Sequence, residues 1–482
     1  MKIGLITFTA SYFAFGMRSI ENYLRSKGHD VFTIYAYTTS RNNRISLLNP
    51  YQLKNIADKC KHCDIIGISV ISIHSLKKVK QAYRYLKETT NAFIVIGGVP
   101  VIVSPDLFID FSEFICVGEG ELFFDALLDS KDIHTIPGLG YKKKSGAFVY
   151  NRPERLVDVN QLPVPKIDFE NTYYLSENKI EALSENPSIL FYQCYRKGYR
   201  LMMSRGCPFN CSYCCNSTLN RVYRGLGRIT RKTSVDRVIS ELEYAKEIIP
   251  ELDKIYFLDD DLTVLNEDEF ASLISEYGKK ISLLIWEFSS TITSISKKKI
   301  DLLTKSNIPV DHIRIGLQSA NLNTNKYVFN RKFNDTDYFD KIEMLLVESM
   351  EDLSENITFF IKLGKRIDKM RLPVELVKFN HFNLVYFPGT PLYDRALSAK
   401  IIDENYIDEE LTKTDYSIIK NVRVHTFVAI IYRLLIRRNW RWVGFPLKKP
   451  VILQLIDHIF TKVHIINVLS RDIILYFRMK SG

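Results

Sequence analysis

Short apolar runs alternate with stretches of helical period over the first 130 residues. Residues 2–8 (KIGLITF) are apolar and rich in β-branched side chains, which predicts a strand. Residues 19–30 (SIENYLRSKGHD) repeat their apolar positions at helical spacing and stop at Gly28. Strands are predicted again at 31–37 (VFTIYAY), 63–72 (CDIIGISVIS), 92–98 (AFIVIGG) and 114–121 (FICVGEGE), with helices at 76–90 and from Leu122. The third run is apolar throughout, as in a strand covered on both faces. Strand–helix alternation at this pitch predicts a doubly wound parallel sheet, whose ligands bind outside the carboxyl ends of the strands. Those ends are Thr7–Ser11, Ser69–His74, Gly97–Pro105 and Gly118–Glu121.

Prolines and glycines crowd residues 135–165, which read as a linker with a small hairpin. A second alternating region begins near 198. Strands are predicted at 199–206, 254–261 (KIYFLDDD), 283–290, 312–319, 356–364 and 379–387, and helices at 233–249 and 267–280, with Thr233 or Ser234 as the N-cap of the former. This pattern predicts a partial β/α barrel with its site at the strand C-termini. Past residue 400 the chain turns helical and basic. The expected divisions are 1–134, a linker at 135–197, a barrel at 198–400 and a C-terminal region at 401–482.

Charge changes this picture in one place. The chain carries a net +11, yet residues 420–482 hold twelve Lys or Arg against two Asp or Glu. The basic excess therefore belongs to the C-terminal region. There, apolar residues stand beside Arg, Lys, Trp and Tyr, as in a helix that lies on an anionic membrane surface or packs its apolar face on a barrel. Nucleic acid is not expected as a partner. Met1-Lys2 leads directly into the first strand, and apolar runs such as 426–436 are about half a membrane span, so a cytoplasmic protein is expected.

The candidate chemistry is concentrated in RGCPFNCSYCCNS, residues 205–217. Cys207, Cys211 and Cys214 have the spacing C-x3-C-x2-C, and Cys215 adjoins the last. Three thiolates in one loop can hold three corners of a four-iron cube and leave one iron open. Structural zinc is the alternative, but it needs four protein ligands, and no second C-x2-C follows downstream. Cys60 and Cys63 (KCKHC) read as a helix end leading into a strand.

The cysteine spacing, with an aromatic residue (Tyr213) before the last cysteine, resembles the radical S-adenosylmethionine (radical SAM) superfamily. That resemblance implies a [4Fe-4S] cluster on Cys207, Cys211 and Cys214, with S-adenosylmethionine chelating the open iron and yielding a 5′-deoxyadenosyl radical. It places Tyr213 near the adenine. FLDDD (257–261) resembles the second-strand segment of the family, which implies that Asp259 and Asp260 hold the methionine amino group. IGLQS (315–319) resembles the fourth-strand segment, implying that Gln318 and Ser319 meet the cofactor; Glu287 is a weaker candidate. YFPGTPLYDRA (386–396) resembles the barrel ending of one subgroup. The chain lacks that subgroup's fifth-strand turn, reading IKLGKRIDKM at 361–370, and it has SSTITS where an arginine often follows the third strand.

The N-terminal string GGVPVIVSPDLF…FICVGEGE resembles the cobalamin-binding domain found ahead of many such barrels. It implies cobalamin near Gly97, Gly98, Gly118, Glu119, Gly120 and Glu121. The segment TFTASYFAFG (7–16) has no histidine, so the resemblance is to the type whose lower cobalt face has no protein histidine. Together these features imply a cobalamin-dependent radical SAM enzyme, foremost a methyltransferase acting on an unactivated carbon. An oxidative cyclase like that acting on magnesium-protoporphyrin monomethyl ester is one alternative, and a non-catalytic cobalamin- or redox-responsive binding protein is another. The implied partners are a small-molecule substrate (a lipid, isoprenoid or tetrapyrrole among the options) and an electron donor such as flavodoxin or ferredoxin. Peripheral membrane contact through the basic C-terminal region is the remaining expectation.

Overall fold

The computed structural model describes residues 1–9, 14–37, 47–187, 198–249, 251–291, 293–316, 323–331, 344–346, 374–378, 381–383, 386–407 and 476–479. The chain divides into two compact units. One comprises Met1–Pro208, Cys214–Leu252 and Phe387–Asp415, and the other Phe209–Tyr213, Asp253–Tyr386 and Tyr416–Gly482.

The first unit is built on a nine-stranded sheet. Its centre is parallel: β1 (Lys2–Thr7), β2 (Asp30–Tyr35), β3 (Ile65–Ser69), β4 (Phe93–Gly97) and β5 (Phe114–Cys116). Helices α1 (Phe15–Ser26), α2 (Pro50–Cys60), α3 (Leu76–Thr89), α4 (Val99–Val103), α5 (Asp106–Ile109) and α6 (Gly120–Asp129) connect them. Ile3, Ile6, Ile34, Ile66, Ile68 and Ile96 are buried to 1% exposure or less, which accounts for the continuous apolar runs. Helix α2 starts at a capping box in which Asn49 and Gln52 bond each other's backbone N–H.

The linker expectation for 135–197 needs correction. Much of this segment extends the sheet. The hairpin β6 (Leu139–Lys142) and β7 (Phe148–Tyr150) adds antiparallel strands beside β5, and β8 (Thr172–Ser176) with β9 (Lys179–Ala182) extends the other edge beside β2. These strands are three to five residues long, so the prolines and glycines around them dominate the sequence pattern. The unit continues through β10 (Gly198–Leu201), the two-stranded ribbon of β11 (Ser204–Arg205) and β12 (Arg231–Lys232), and helices α7 (Cys215–Val222) and α8 (Val235–Ile248). Ser234 caps α8 by accepting from Arg237 N–H.

The second unit contains the parallel strands β13 (Lys254–Phe257), β14 (Leu284–Thr291) and β15 (Val310–Gly316), linked by α9 (Glu267–Lys280) and α10 (Lys297–Lys305). Phe257, Phe288 and Ile313 form one buried face, and Phe270, Leu273 and Tyr277 of α9 are buried too. Short strands β16 (Met344–Leu346), β17 (Val374–Lys378), β18 (His381–Asn383) and β19 (Tyr476–Met479) follow, and helix α11 (Pro391–Ser398) belongs to the first unit. The expected strand at 356–364, the turn region 361–370 and most of 401–482 lie outside the described residues.

Candidate functional site

Helix α7 begins immediately after the cysteine loop, with Cys214 at its N-cap. A helix N-terminus carries positive potential, which favours a thiolate and a negatively charged group beside it. The Ser217 hydroxyl donates to the Cys214 carbonyl at 2.8 Å. Asn220, one turn further on, donates from Nδ2 to the Cys207 carbonyl at 3.0 Å. The helix is itself tied down where the Thr218 hydroxyl donates to the Gly389 carbonyl at 2.5 Å. Gly206, just before Cys207, sits at φ +81°, and a Cβ there would stand 2.5 Å from the Ile229 carbonyl oxygen. Only glycine fits that position.

Cys211 belongs to the segment Phe209–Tyr213, which is gripped by residues 324–331. Ser212 donates from its backbone to the Phe329 carbonyl (3.0 Å) and from its hydroxyl to the Val328 carbonyl (2.6 Å). Asn330 Nδ2 donates to the Asn210 carbonyl (2.9 Å). Tyr213 receives a bond from Arg331 Nη1 (3.2 Å) and meets Phe329 edge to face. Phe329, Asn330 and Arg331 escaped the sequence reading because they lie more than 110 residues downstream without a motif of their own.

Cys207, Cys211 and Cys214 are half-exposed, while Cys60, Cys63 and Cys116 are buried. Burial pushes the Cys116 thiol far up, which keeps it protonated and inert. Cys60 and Cys63 hydrogen-bond each other, raising the first and lowering the second. Cys207 and Cys214 are thus tied to α7 within the first unit, and Cys211 lies in the segment held by residues 324–331 within the second, all three with accessible thiols. Among the described residues, no three His, Cys, Asp or Glu side chains converge on one ion position. A cube holds its thiolates at separate corners, so convergence is not what it demands.

The strand-end carboxylates divide by task. Asp261 is buried, and Oδ1 accepts from Thr263 N (2.9 Å) and Thr263 Oγ1 (2.7 Å), while Oδ2 accepts from Thr291 Oγ1 (2.8 Å) and from Ser294 Oγ. Lys299 Nζ donates to the carbonyls of Thr263 (2.6 Å) and Ser294 (2.8 Å) in the same cluster. The third aspartate is thus a brace for the turn. Asp259 is buried and Asp260 exposed on that braced turn. Glu287 is buried and pairs with Arg314 Nη2 at 2.6 Å, a partner that the sequence did not single out. Gln318 and Ser319 lie outside the described residues.

At the carboxyl end of the parallel sheet, the glycines have internal reasons to be glycine. Gly98 has φ +115°, and a Cβ there would lie 2.0 Å from the Val70 carbonyl oxygen. A Cβ on Gly120 would strike Ile20 Cδ1 at 2.3 Å. A Cβ on Gly97 would come within 3.3 Å of Cys116 Cβ, and one on Gly118 within 3.2 Å of Pro153 Cγ. The close approach is therefore to protein, which the sequence could not distinguish from approach to a ligand. Beside Gly98, Val99 leaves 40% of its surface exposed. Of the first loop, residues 10–13 lie outside the described residues. Glu119 and Glu121 do not point to open space: both carboxylates are engaged by Arg205 and Arg231.

Comparison with known proteins gives the following matches. The B12-binding domain profile matches residues 1–128, and the radical SAM superfamily profile matches residues 201–365. A protein of Pyrococcus horikoshii named as an uncharacterized methyltransferase is 25% identical over 372 residues, 70% of each chain. The cobalamin-dependent radical SAM methyltransferase TokK of Streptomyces tokunonensis is 25% identical over 178 residues, 35% of this chain and 24% of its own. Among solved structures, the radical SAM methyltransferase TsrM of Kitasatospora setae, with tryptophan and an S-adenosylmethionine analogue bound, superposes with TM-score 0.60 at 15% identity over 83% of this chain and 76% of that one. The cobalamin-dependent radical enzyme OxsB with aqua-cobalamin superposes with TM-score 0.55 at 18% identity, covering 85% and 56% of the two chains. At these identities the superpositions establish a shared fold.

Proposed function

Because the chain belongs to the radical SAM enzymes that carry a B12-binding domain, and so works with a [4Fe-4S] cluster, S-adenosylmethionine and cobalamin, we propose that it methylates an unactivated carbon of a small molecule. The observation that carries this reading is the thiol loop: three half-exposed cysteines at C-x3-C-x2-C spacing, fixed by α7 and by residues 324–331, downstream of a B12-binding fold.

When bound, the cluster supplies one electron to split S-adenosylmethionine for hydrogen abstraction, and cobalamin supplies the methyl group. Cys207, Cys211 and Cys214 would hold three irons. Asp259, on the turn braced by Asp261, would accept the amino group of the methionine moiety, with Asp260 beside it, while Gln318 and Ser319 would meet the rest of the cofactor. Tyr213, held by Arg331 and Phe329, would flank the adenine. The loops at Gly97–Gly98 and Gly118–Glu121 would line the corrin, the second pair of glycines through backbone rather than through the glutamate carboxylates. An external one-electron donor such as flavodoxin or ferredoxin completes the cycle, and the basic C-terminal region would meet an anionic membrane surface that presents or receives the substrate.

Anaerobically reconstituted, reduced protein given S-adenosylmethionine is expected to release both 5′-deoxyadenosine and S-adenosylhomocysteine. The first product reports hydrogen abstraction and the second reports methyl transfer. A Cys211→Ala variant that still makes 5′-deoxyadenosine sinks the cluster assignment, and wild-type protein that never makes S-adenosylhomocysteine sinks the methyl-transfer reading.

A further inference from the structure

We propose that Arg205, Arg231, Glu119 and Glu121 form a closed ion brace that couples cobalamin binding to the placement of Cys207, with Arg205 as the positioning residue; the inference rests on the functional reading above. Arg205 and Arg231 face each other directly across the ribbon of β11 and β12. Like charges in that register repel, so the ribbon needs a counter-charge. Glu119 and Glu121, at the start of α6, provide it. Glu119 Oε1 accepts from Arg231 Nη2 (2.7 Å) and Arg205 Nη1 (3.3 Å), and its Oε2 accepts from Arg231 Nη1 (2.8 Å) and Val157 N (2.7 Å). Glu121 Oε1 accepts from Arg205 Nη2 (2.6 Å) and Ser19 Oγ (2.6 Å), and its Oε2 from Arg205 Nη1 (3.3 Å). Every carboxylate oxygen is used, and Arg205 Nη2 also reaches Ser19 Oγ at 2.8 Å.

Net stability is a poor reason for such a network. Buried ion pairs are often no more stabilising than apolar side chains of the same volume, and their best-attested use is to specify geometry. Here the geometry joins two places. One end is the turn after β5, at the carboxyl edge of the parallel sheet, where ligands of such sheets bind. The other end is Arg205, two residues before the first cluster cysteine. Only Gly206 separates Arg205 from Cys207; it sits at φ +81° with no room for a Cβ beside the Ile229 carbonyl, and the Cys207 carbonyl is held by Asn220. A ligand that settles the Gly118–Glu121 turn therefore settles Cys207, and by reciprocity a loaded cluster favours the ligand.

The test uses the full chain and hydroxocobalamin. Its dissociation constant is measured for the apoprotein and for the cluster-loaded protein, and the ratio is the coupling. Wild type is expected to show a ratio of about fivefold or more, the lower range of allosteric coupling. In Arg205→Lys and in the nearly isosteric Glu121→Gln the ratio is expected to fall to within about twofold of one, while the wild-type shift of the reduced-cluster EPR signal on adding cobalamin disappears. A merely structural role would lower the melting temperature and leave the ratio intact. An unchanged ratio in either folded variant, or a ratio of one in wild type, overturns the inference alone. Wild-type protein that takes up neither cobalamin nor iron overturns the functional reading and this inference with it.

Discussion

Buried ionisable side chains in the first unit make testable demands on pH. Glu21 of α1 is buried beside Arg25 at 3.0 Å, with Arg18 and Asp168 near by. Burial outweighs the arginines and lifts its pKa from 4.5 to about 7. The folded protein then binds a proton that the unfolded chain releases between those values. Its stabilising contribution is complete below about pH 4.5 and is lost as pH rises through about 7. Stability is expected to fall across that window by up to about 3 kcal/mol from this group, and Glu21→Gln is expected to flatten the curve; urea titrations from pH 5 to pH 8 decide it. Asp261, in the second unit, makes a structural demand. Asp261→Ala would strand the donors of Thr263, Thr291 and Ser294, at a cost of about 2–4 kcal/mol in denaturant unfolding. Both roles were invisible in the sequence: Glu21 read as one more charge on a helix, and Asp261 as the last of three strand-end carboxylates, beside the two singled out for the cofactor.

Helix α7 is the element on which the site turns. Its N-cap is a proposed cluster ligand, and nearly two turns later its Asn220 holds another, so the helix sets two corners of the proposed site. Asn220→Ala is expected to leave the fold intact, cost about 1 kcal/mol, and reduce iron retained per chain after gel filtration. Gly206→Ala is expected to be far worse. It adds at least about 1–2 kcal/mol of left-handed strain to a clash with the Ile229 carbonyl, so unfolding shifts to lower denaturant and reconstitution fails; normal iron loading would refute this account. The element pattern itself was legible. Runs such as 2–8, 31–37 and 92–98 became β1, β2 and β4 because a strand covered on both faces has to be apolar at every position. The segment 135–197 was not legible, because its strands are too short for a period of two to emerge from among turn residues.

At the scale of the molecule, the basic surplus in residues 420–482 is the feature with a physical consequence. Among the described residues no helix is long and apolar enough to cross a membrane. The full chain is expected to sediment with phosphatidylserine vesicles at low ionic strength and to be released by salt, since attraction between basic groups and anionic lipid is screened over a Debye length. Equal binding to zwitterionic vesicles, or none to either, would remove the membrane from the proposed function.

The chain's local chemistry was determined by sequence alone. Cysteine spacing, strand periodicity and helix caps act over a few residues, so Cys207, Cys211 and Cys214, the parallel sheet and a cap at Thr233 or Ser234 could be read in order along the chain. Tertiary structure decided what each charged or glycine side chain answers to. Glu119 and Glu121 look like ligand-facing acids until Arg205 and Arg231, more than eighty residues on, are folded against them. Gly98 looks like a residue kept small for a ligand until the Val70 carbonyl is found where its Cβ would stand. The reason is physical: a charge or a void is defined by what surrounds it in three dimensions, and those neighbours are distant in sequence and follow no fixed spacing.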